Sequence, residues 1–87
     1  MAYFVYAKHH YGGEREDDPV MVNIDQAIRI FFDKAQHDPT KVIMQGYWRG
    51  LGSWMDVDAP AAEGCLNYIL ANSGLKPEDI DPRVWVE

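Results

Sequence analysis

Apolar residues are concentrated in two runs between Thr40 and Val57, in the segment TKVIMQGYWRGLGSWMDV. The glycines at Gly50 and Gly52 separate the two runs and are typical of a tight turn between two strands. The segment therefore predicts a β-hairpin with an aromatic tip. Because successive side chains of a strand point to opposite sides, the first strand has two faces: Val42, Met44, Gly46 and Trp48 on one, and Ile43, Gln45, Tyr47 and Arg49 on the other.

Three other segments have the composition of strands. Ala2–Ala7, AYFVYA, is aromatic and β-branched, and it is apolar on both faces, which predicts a central strand with both faces covered. Pro19–Val22 fits a short edge strand, because proline cannot donate to a neighbouring strand. Arg83–Glu87, RVWVE, alternates and predicts a final edge strand.

Two segments show helical spacing. In Asn23–Gln36 the apolar residues recur three and four positions apart, which predicts a first helix that ends at Asp38-Pro39. A second helix is predicted after Asp58, an N-cap residue type, and before Gly74, which can adopt a left-handed conformation. Its predicted buried stripe is Ala62, Cys65, Leu66, Ile69 and Leu70.

These elements follow one another as β, α, β, β, α, β over a single α+β domain, residues 1–87. Right-handed crossovers then predict a ferredoxin-like fold, with two helices on one face of an antiparallel sheet. In the alternative fold, Pro19–Val22 pairs with the first strand as an N-terminal hairpin, and the sheet has five strands.

Charge and cysteine content narrow the function classes. Fourteen acidic and eight basic side chains give a net charge of −6, which disfavours binding to nucleic acid. The single cysteine, Cys65, cannot form an intrachain disulfide, so a reducing cytoplasm is the expected location. No run approaches the ~20 apolar residues that a membrane span needs, so no membrane association is expected.

The histidine, acidic and cysteine residues of the sequence do not form a recognisable metal or catalytic site. His9 and His10 are adjacent, so a strand would point them to opposite sides, away from a shared metal. The acidic run from Glu14 to Asp18 lacks the ligand spacing of a calcium loop. Cys65 falls on the apolar stripe of its helix, where a thiol is inert. The sequence therefore favours a non-catalytic protein over an enzyme, and predicts no metal and no cofactor.

Large apolar side chains outnumber the positions that one helical layer can cover. An uncovered apolar sheet face marks an interaction site, and tryptophan, tyrosine and arginine are enriched at the centres of interfaces. The leading hypothesis is a small acidic protein-binding domain that acts through its aromatic sheet face, holding a second copy of itself as a homodimer or an electropositive protein as an inhibitor would. The predicted binding residues are Tyr47, Trp48, Arg49, Trp54 and Trp85.

Two other functions fit the sequence. The first is a small dimeric enzyme or small-molecule binder, with an apolar cavity between sheet and helices near the end of the first strand and a polar group from His9, His10 or Tyr11. The second is an acidic mimic of nucleic acid, which requires two acidic groups to align on one face of the molecule. Those groups are Glu14, Glu16, Asp17 and Asp18, and Glu78, Asp79 and Asp81.

Overall fold

Five strands and two α-helices form the fold over residues 2–10 and 19–85, which are the residues that this computed structural model describes. The strands are β1 (Phe4–His9), β2 (Val20–Asn23), β3 (Arg29–Ala35), β4 (Asp38–Tyr47) and β5 (Met55–Val57). The helices are α1 (Ala61–Ser73) and α2 (Pro77–Ile80), and short 3-10 turns occupy Ile24–Gln26 and Pro82–Val84.

The strands form one antiparallel sheet in the order β2-β1-β5-β4-β3. The α+β class is confirmed, but the predicted ferredoxin-like order βαββαβ is wrong, because no helix separates β1 from β4 in the described chain. The alternative prediction agrees on two points: the sheet has five strands, and β2 pairs with β1 as a hairpin. The fifth strand, however, comes from the segment predicted as a helix.

That segment, Asn23–Gln36, forms a 3-10 turn followed by strand β3. Its central residues, IRIFF at 28–32, are β-branched or aromatic except for Arg29, and they fit the period of a strand as well as that of a helix. Pairing with β4 decides between a helix and a strand. The two strands pair along the segment from Arg29, which lies opposite Tyr47, to Lys34, which lies opposite Val42. Tertiary pairing therefore overrides the helical pattern.

The predicted C-terminal strand Arg83–Glu87 is also wrong where the structure describes it. Pro82–Val84 forms a 3-10 turn, and the Asp81 side chain accepts a hydrogen bond from the Arg83 amide at its start. Proline at the first position and a capping carboxylate favour this turn over an extended strand. The last two residues, 86 and 87, lie outside the described residues.

The hairpin and the second helix are confirmed, but Asp58 is not the N-cap residue: the helix begins at Ala61, with Pro60 at the N-cap position and no side-chain capping bond. Strands β4 and β5 pair antiparallel with Gly46 opposite Met55, and Gly50 and Gly52 between them adopt φ of 87° and 78°. Helix α1 buries the first three residues of its predicted stripe and ends at Gly74, whose φ is 75°.

Helix α1 covers one face of the sheet and forms the core with it. The largest fully buried side chains come from β4, β5 and α1: Met44, Met55, Leu66, Val42, Val57 and Cys65. This face of the sheet, which we call the covered face, also receives Val5 and Ala7 from β1. The opposite face is described below.

Trp48 belongs to the covered face and closes the core beyond the end of β4. It is only 5% exposed, and its indole Nε1 donates a hydrogen bond of 2.7 Å to the Asn23 carbonyl. Its ring lies against Gly46, where a Cβ atom would come within 2.6 Å of Cζ3 and Cη2. A glycine is therefore required at position 46 for the indole to pack.

Candidate functional site

The face of the sheet opposite α1 carries exposed aromatic and apolar side chains. Phe4 is 56% exposed, Tyr6 62%, Met21 53% and Phe31 55%. We call this surface the open face, and it consists of the side chains that alternate away from α1: Phe4, Tyr6, Lys8, His10, Met21, Arg29, Phe31, Asp33, Ile43, Gln45, Tyr47, Trp54 and Asp56.

Two aromatic clusters lie on the open face. On one side, Trp54 contacts Phe31 and Tyr47, with ring centroids 5.2 and 5.6 Å apart. On the other side, Tyr6 of β1 lies directly opposite Met21 of β2. Strand alternation places Phe4 on the same side of β1 as Tyr6, so these residues extend the second cluster.

A polar strip separates the two clusters. Asp56 at the centre of β5 lies opposite Lys8 of β1 and opposite Gln45 of β4. His10 Nδ1 lies 2.9 Å from Asp56 Oδ2, and Gln45 Nε2 donates to Asp56 Oδ1 at 3.1 Å. The strip is hydrogen-bonded across three strands, which fixes its side chains between the clusters.

The predicted binding residues do not form one surface. Tyr47 and Trp54 lie together on the open face, and Arg49 is exposed at the hairpin tip next to them in the chain. Trp48 points to the opposite side and is buried. Trp85 lies in the C-terminal segment, half exposed, with its indole Nε1 donating to the Glu78 carbonyl at 2.9 Å.

Sequence reasoning missed the other residues of the open face. The apolar character of both sides of β1 was visible, but it was interpreted as a strand covered on both faces. The structure has β1 inside the sheet, between β2 and β5, with Phe4 and Tyr6 exposed. The helix predicted over Asn23–Gln36 also placed Phe31 away from the sheet, whereas Phe31 lies on strand β3 and is exposed on the open face.

The two adjacent histidines contact different partners. His9 Nδ1 lies 2.8 Å from Ser53 Oγ, whereas His10 contacts Asp56. Within residues 2–10 and 19–85, no three histidine, cysteine or acidic side chains come together in a way that could hold a metal ion. Tyr11 and the acidic residues of positions 14–18 lie outside the described residues.

Cys65 is fully buried on the covered side of α1. Burial removes water from the thiolate and raises the pKa of the thiol to about 11. A thiol in this state is protonated at neutral pH, so it is a poor nucleophile.

A groove of about 490 Å³ lies between the edge strand β3 and the helices α1 and α2. The hypothesis of a small-molecule site predicted a cavity near the end of β1 with a histidine in it. The observed groove is elsewhere, and no histidine lines it among the described residues. Its apolar lining includes Ile30, Phe32, Ile69, Ile80 and Trp85.

An ion cluster holds the C-terminal turn against α1 and β4. The Arg83 guanidinium donates to Asp81 Oδ2 and to Glu63 Oε2, both at 2.8 Å, and to the Thr40 carbonyl at 3.0 Å. The hydrogen bonds from Arg83 lower the pKa of the buried Asp81 carboxyl below its usual value. Asp81 is therefore committed to a structural ion pair, which removes it from the acidic surface that mimicry of nucleic acid requires.

No protein-family model matches this chain, and no similar curated protein or solved structure was found. None of the helices in the described part of the chain is long and apolar enough to cross a membrane.

Proposed function

We propose that this chain is a non-catalytic binding domain that associates with a second copy of itself through the open face. The observation that carries the proposal is the exposure of Phe4, Tyr6, Met21 and Phe31, each more than half accessible on one face of one sheet. Apolar patches of this kind on small proteins mark interaction sites. Tyrosine, phenylalanine and methionine are also enriched at the centres of interfaces.

The size of the open face suits a modest homodimer. Five strands spaced about 4.8 Å apart and about six residues long present a flat area of roughly 500 Å². Protruding aromatic rings raise the accessible area of this face toward the ~800 Å² that each partner buries in a standard interface. A second copy presents a sheet face of the same size and the same twist.

The charges of the open face favour a second copy over a strongly basic partner. Lys8 and Arg29 balance Asp33 and Asp56 on this face, whereas the whole chain carries a net charge of −6. Two copies that meet through a balanced face keep most of their acidic groups apart. An electropositive partner would instead be drawn to the acidic groups elsewhere on the surface.

The arrangement of the open face is also compatible with a two-fold axis. In such a dimer the same patch is used by both subunits, so it must be complementary to itself. An axis through the polar strip places the two aromatic clusters of one copy against those of the other. It also brings Lys8 of one strip near the carboxylate of Asp56 in the other.

Sedimentation velocity on paired variants tests the proposal. We expect a dimer for the unmodified protein, and monomers for Tyr6→Asp and Phe31→Asp, because each buries an unpaired carboxylate in the interface. Leu75→Asp is the matched control: Leu75 is 43% exposed but lies outside the open face, so this variant should remain dimeric. A monomeric unmodified protein at about 200 µM, above the micromolar Kd of a weak interface of this size, would overturn self-association.

A further inference from the structure

The groove between β3 and the helices is a second apolar surface, distinct from the open face except at Phe31 and Trp85, which border both. Its volume of about 490 Å³ is within the ordinary range of small-molecule sites. Ile30 and Phe32 line it from β3, and Ile69 of α1 and Ile80 of α2 line it from the helices. These four side chains are partly buried against the core, so the groove is preformed.

The mouth of the groove carries exposed apolar and aromatic groups. Ile28 is 54% exposed, Leu75 43% and Trp85 51%. Ile28 and Leu75 do not belong to the open face, so association through that face leaves them exposed. A ligand with an apolar body would cover them.

The polar groups of the groove are negative or neutral. Asp25, Asn72, Ser73 and Asp79 line it, and no lysine, arginine or histidine does so among the residues that the structure describes. Asp79 Oδ2 accepts a hydrogen bond of 2.9 Å from the Lys76 amide, and this neutral donor leaves the carboxylate charge uncompensated. Trp85 also lines the groove, and an indole ring is the aromatic group that attracts cations most strongly. Tyr68 lines it as well, with one face of its ring stacked on Tyr3.

From this combination we propose that the groove binds a small amphipathic cation, an alkyl- or arylammonium ion. Its apolar body lies between β3 and α1, and its ammonium group lies at the rim beside Asp79. An anionic ligand of the same shape would meet the Asp79 carboxylate and, among the described residues of the lining, no cation. The groove thus discriminates by the sign of the headgroup while the apolar lining supplies most of the affinity.

Titration with three probes of equal chain length tests this assignment: n-octylammonium, 1-octanol and octanoate, followed by amide chemical shifts of ¹⁵N-labelled protein. We expect saturable shifts at Ile30, Ile69 and Ile80. At low ionic strength octylammonium should bind about threefold to fivefold more tightly than octanoate, the ratio expected of one partly exposed charge contact. In ~1 M salt this preference should largely disappear, because screening shortens the range of the interaction.

Two matched pairs of variants locate the site. Asp79→Asn should abolish most of the preference for the cation, whereas Glu78→Gln, which neutralises the neighbouring carboxylate outside the groove lining, should leave it unchanged. Trp85→Ala should weaken binding of every probe, whereas Val84→Ala, which truncates the neighbouring exposed side chain outside the groove lining, should not.

Three results would overturn the proposal. These are equal affinity for octylammonium and octanoate, shifts confined to the open face, or no saturable shift with any probe. None of them bears on association through the open face, so the two proposals fail independently.

Discussion

The two faces of this sheet are built from the same strands and both carry large apolar side chains, yet they differ in exposure. On the covered face Met44 and Val57 are 1% exposed, whereas on the open face Tyr6 and Phe31 are more than half exposed. The difference is α1, which packs on one face only. Strand alternation shows which residues share a face, but the position of the helix decides which face becomes core.

The largest expected change in the free energy of unfolding comes from truncating a core side chain of the covered face. Met44→Ala should lower the free energy of unfolding by about 3 kcal/mol, since it removes buried methylene groups and leaves a cavity beneath α1. Tyr6→Ala on the open face should change it by less than about 0.5 kcal/mol when both are measured by urea unfolding at low protein concentration. Equal losses would mean that the two faces are equally packed.

A smaller effect is expected from adding one methyl group beneath Trp48. Gly46→Ala should cost about 2 kcal/mol, because the new Cβ overlaps a buried indole that cannot move without losing its bond to Asn23. Gly64→Ala is the comparison in α1: its Cβ would come within 2.6 Å of the Tyr3 hydroxyl, but this oxygen is the end of a half-buried side chain that can shift, and alanine favours the helix. We expect Gly64→Ala to be neutral within about 0.5 kcal/mol in the same unfolding assay, and a cost as large as that of Gly46→Ala would contradict the explanation.

The ion cluster closes one end of the covered face, so breaking it should also destabilise the fold. Arg83→Ala leaves Asp81 buried without its cation, at a cost of about 2 kcal/mol. Arg83→Lys keeps the positive charge but not the several N–H donors of the planar guanidinium. It should therefore recover only part of the lost stability.

The same cluster predicts a pH dependence. Because Arg83 lowers the pKa of Asp81 in the folded state, the stabilisation is present above the unfolded value of ~3.9 and is lost as pH falls through the lower folded value. Unfolding curves between about pH 2 and 5 should therefore converge for the unmodified protein and Arg83→Ala. A constant difference between them over this range would show that the ion pair does not supply the stability.

The smallest expected change in stability comes from truncating aromatic side chains of the open face. Trp54→Ala removes its ring contacts with Phe31 and Tyr47, which should cost about 0.5 to 1 kcal/mol of monomer stability. Phe4→Ala, which has no such ring partner among the described contacts, should cost less in the same urea experiment. The reverse order would indicate that the second cluster is the more tightly packed.

The parts of the fold that were predictable share one property: a local signal that agrees with the final packing. The β4–β5 hairpin has both an alternating pattern and two glycines at positive φ, and α1 has an apolar stripe with a glycine stop. The local pattern of strand β3 does not identify it as a strand, because residues 28–32 fit the period of a helix as well as that of a strand. Only pairing with β4 distinguishes the two.

The candidate site was predictable only in part for the same reason. Tyr47 and Trp54 could be placed together because they belong to one hairpin. Tyr6, Met21 and Phe31 come from three strands whose order depends on long-range pairing, which no local pattern specifies. Trp48 could not be assigned to the core without knowing which face α1 covers.

The most direct test of the account is a filtered NOE experiment on a mixed sample of isotope-labelled and unlabelled protein, which detects contacts between copies only. We predict intermolecular cross-peaks from the side chains of Tyr6 and Met21 to aromatic protons of the second copy. Intermolecular cross-peaks confined to α1 and the groove, or none at a concentration where the protein sediments as a dimer, would contradict association through the open face.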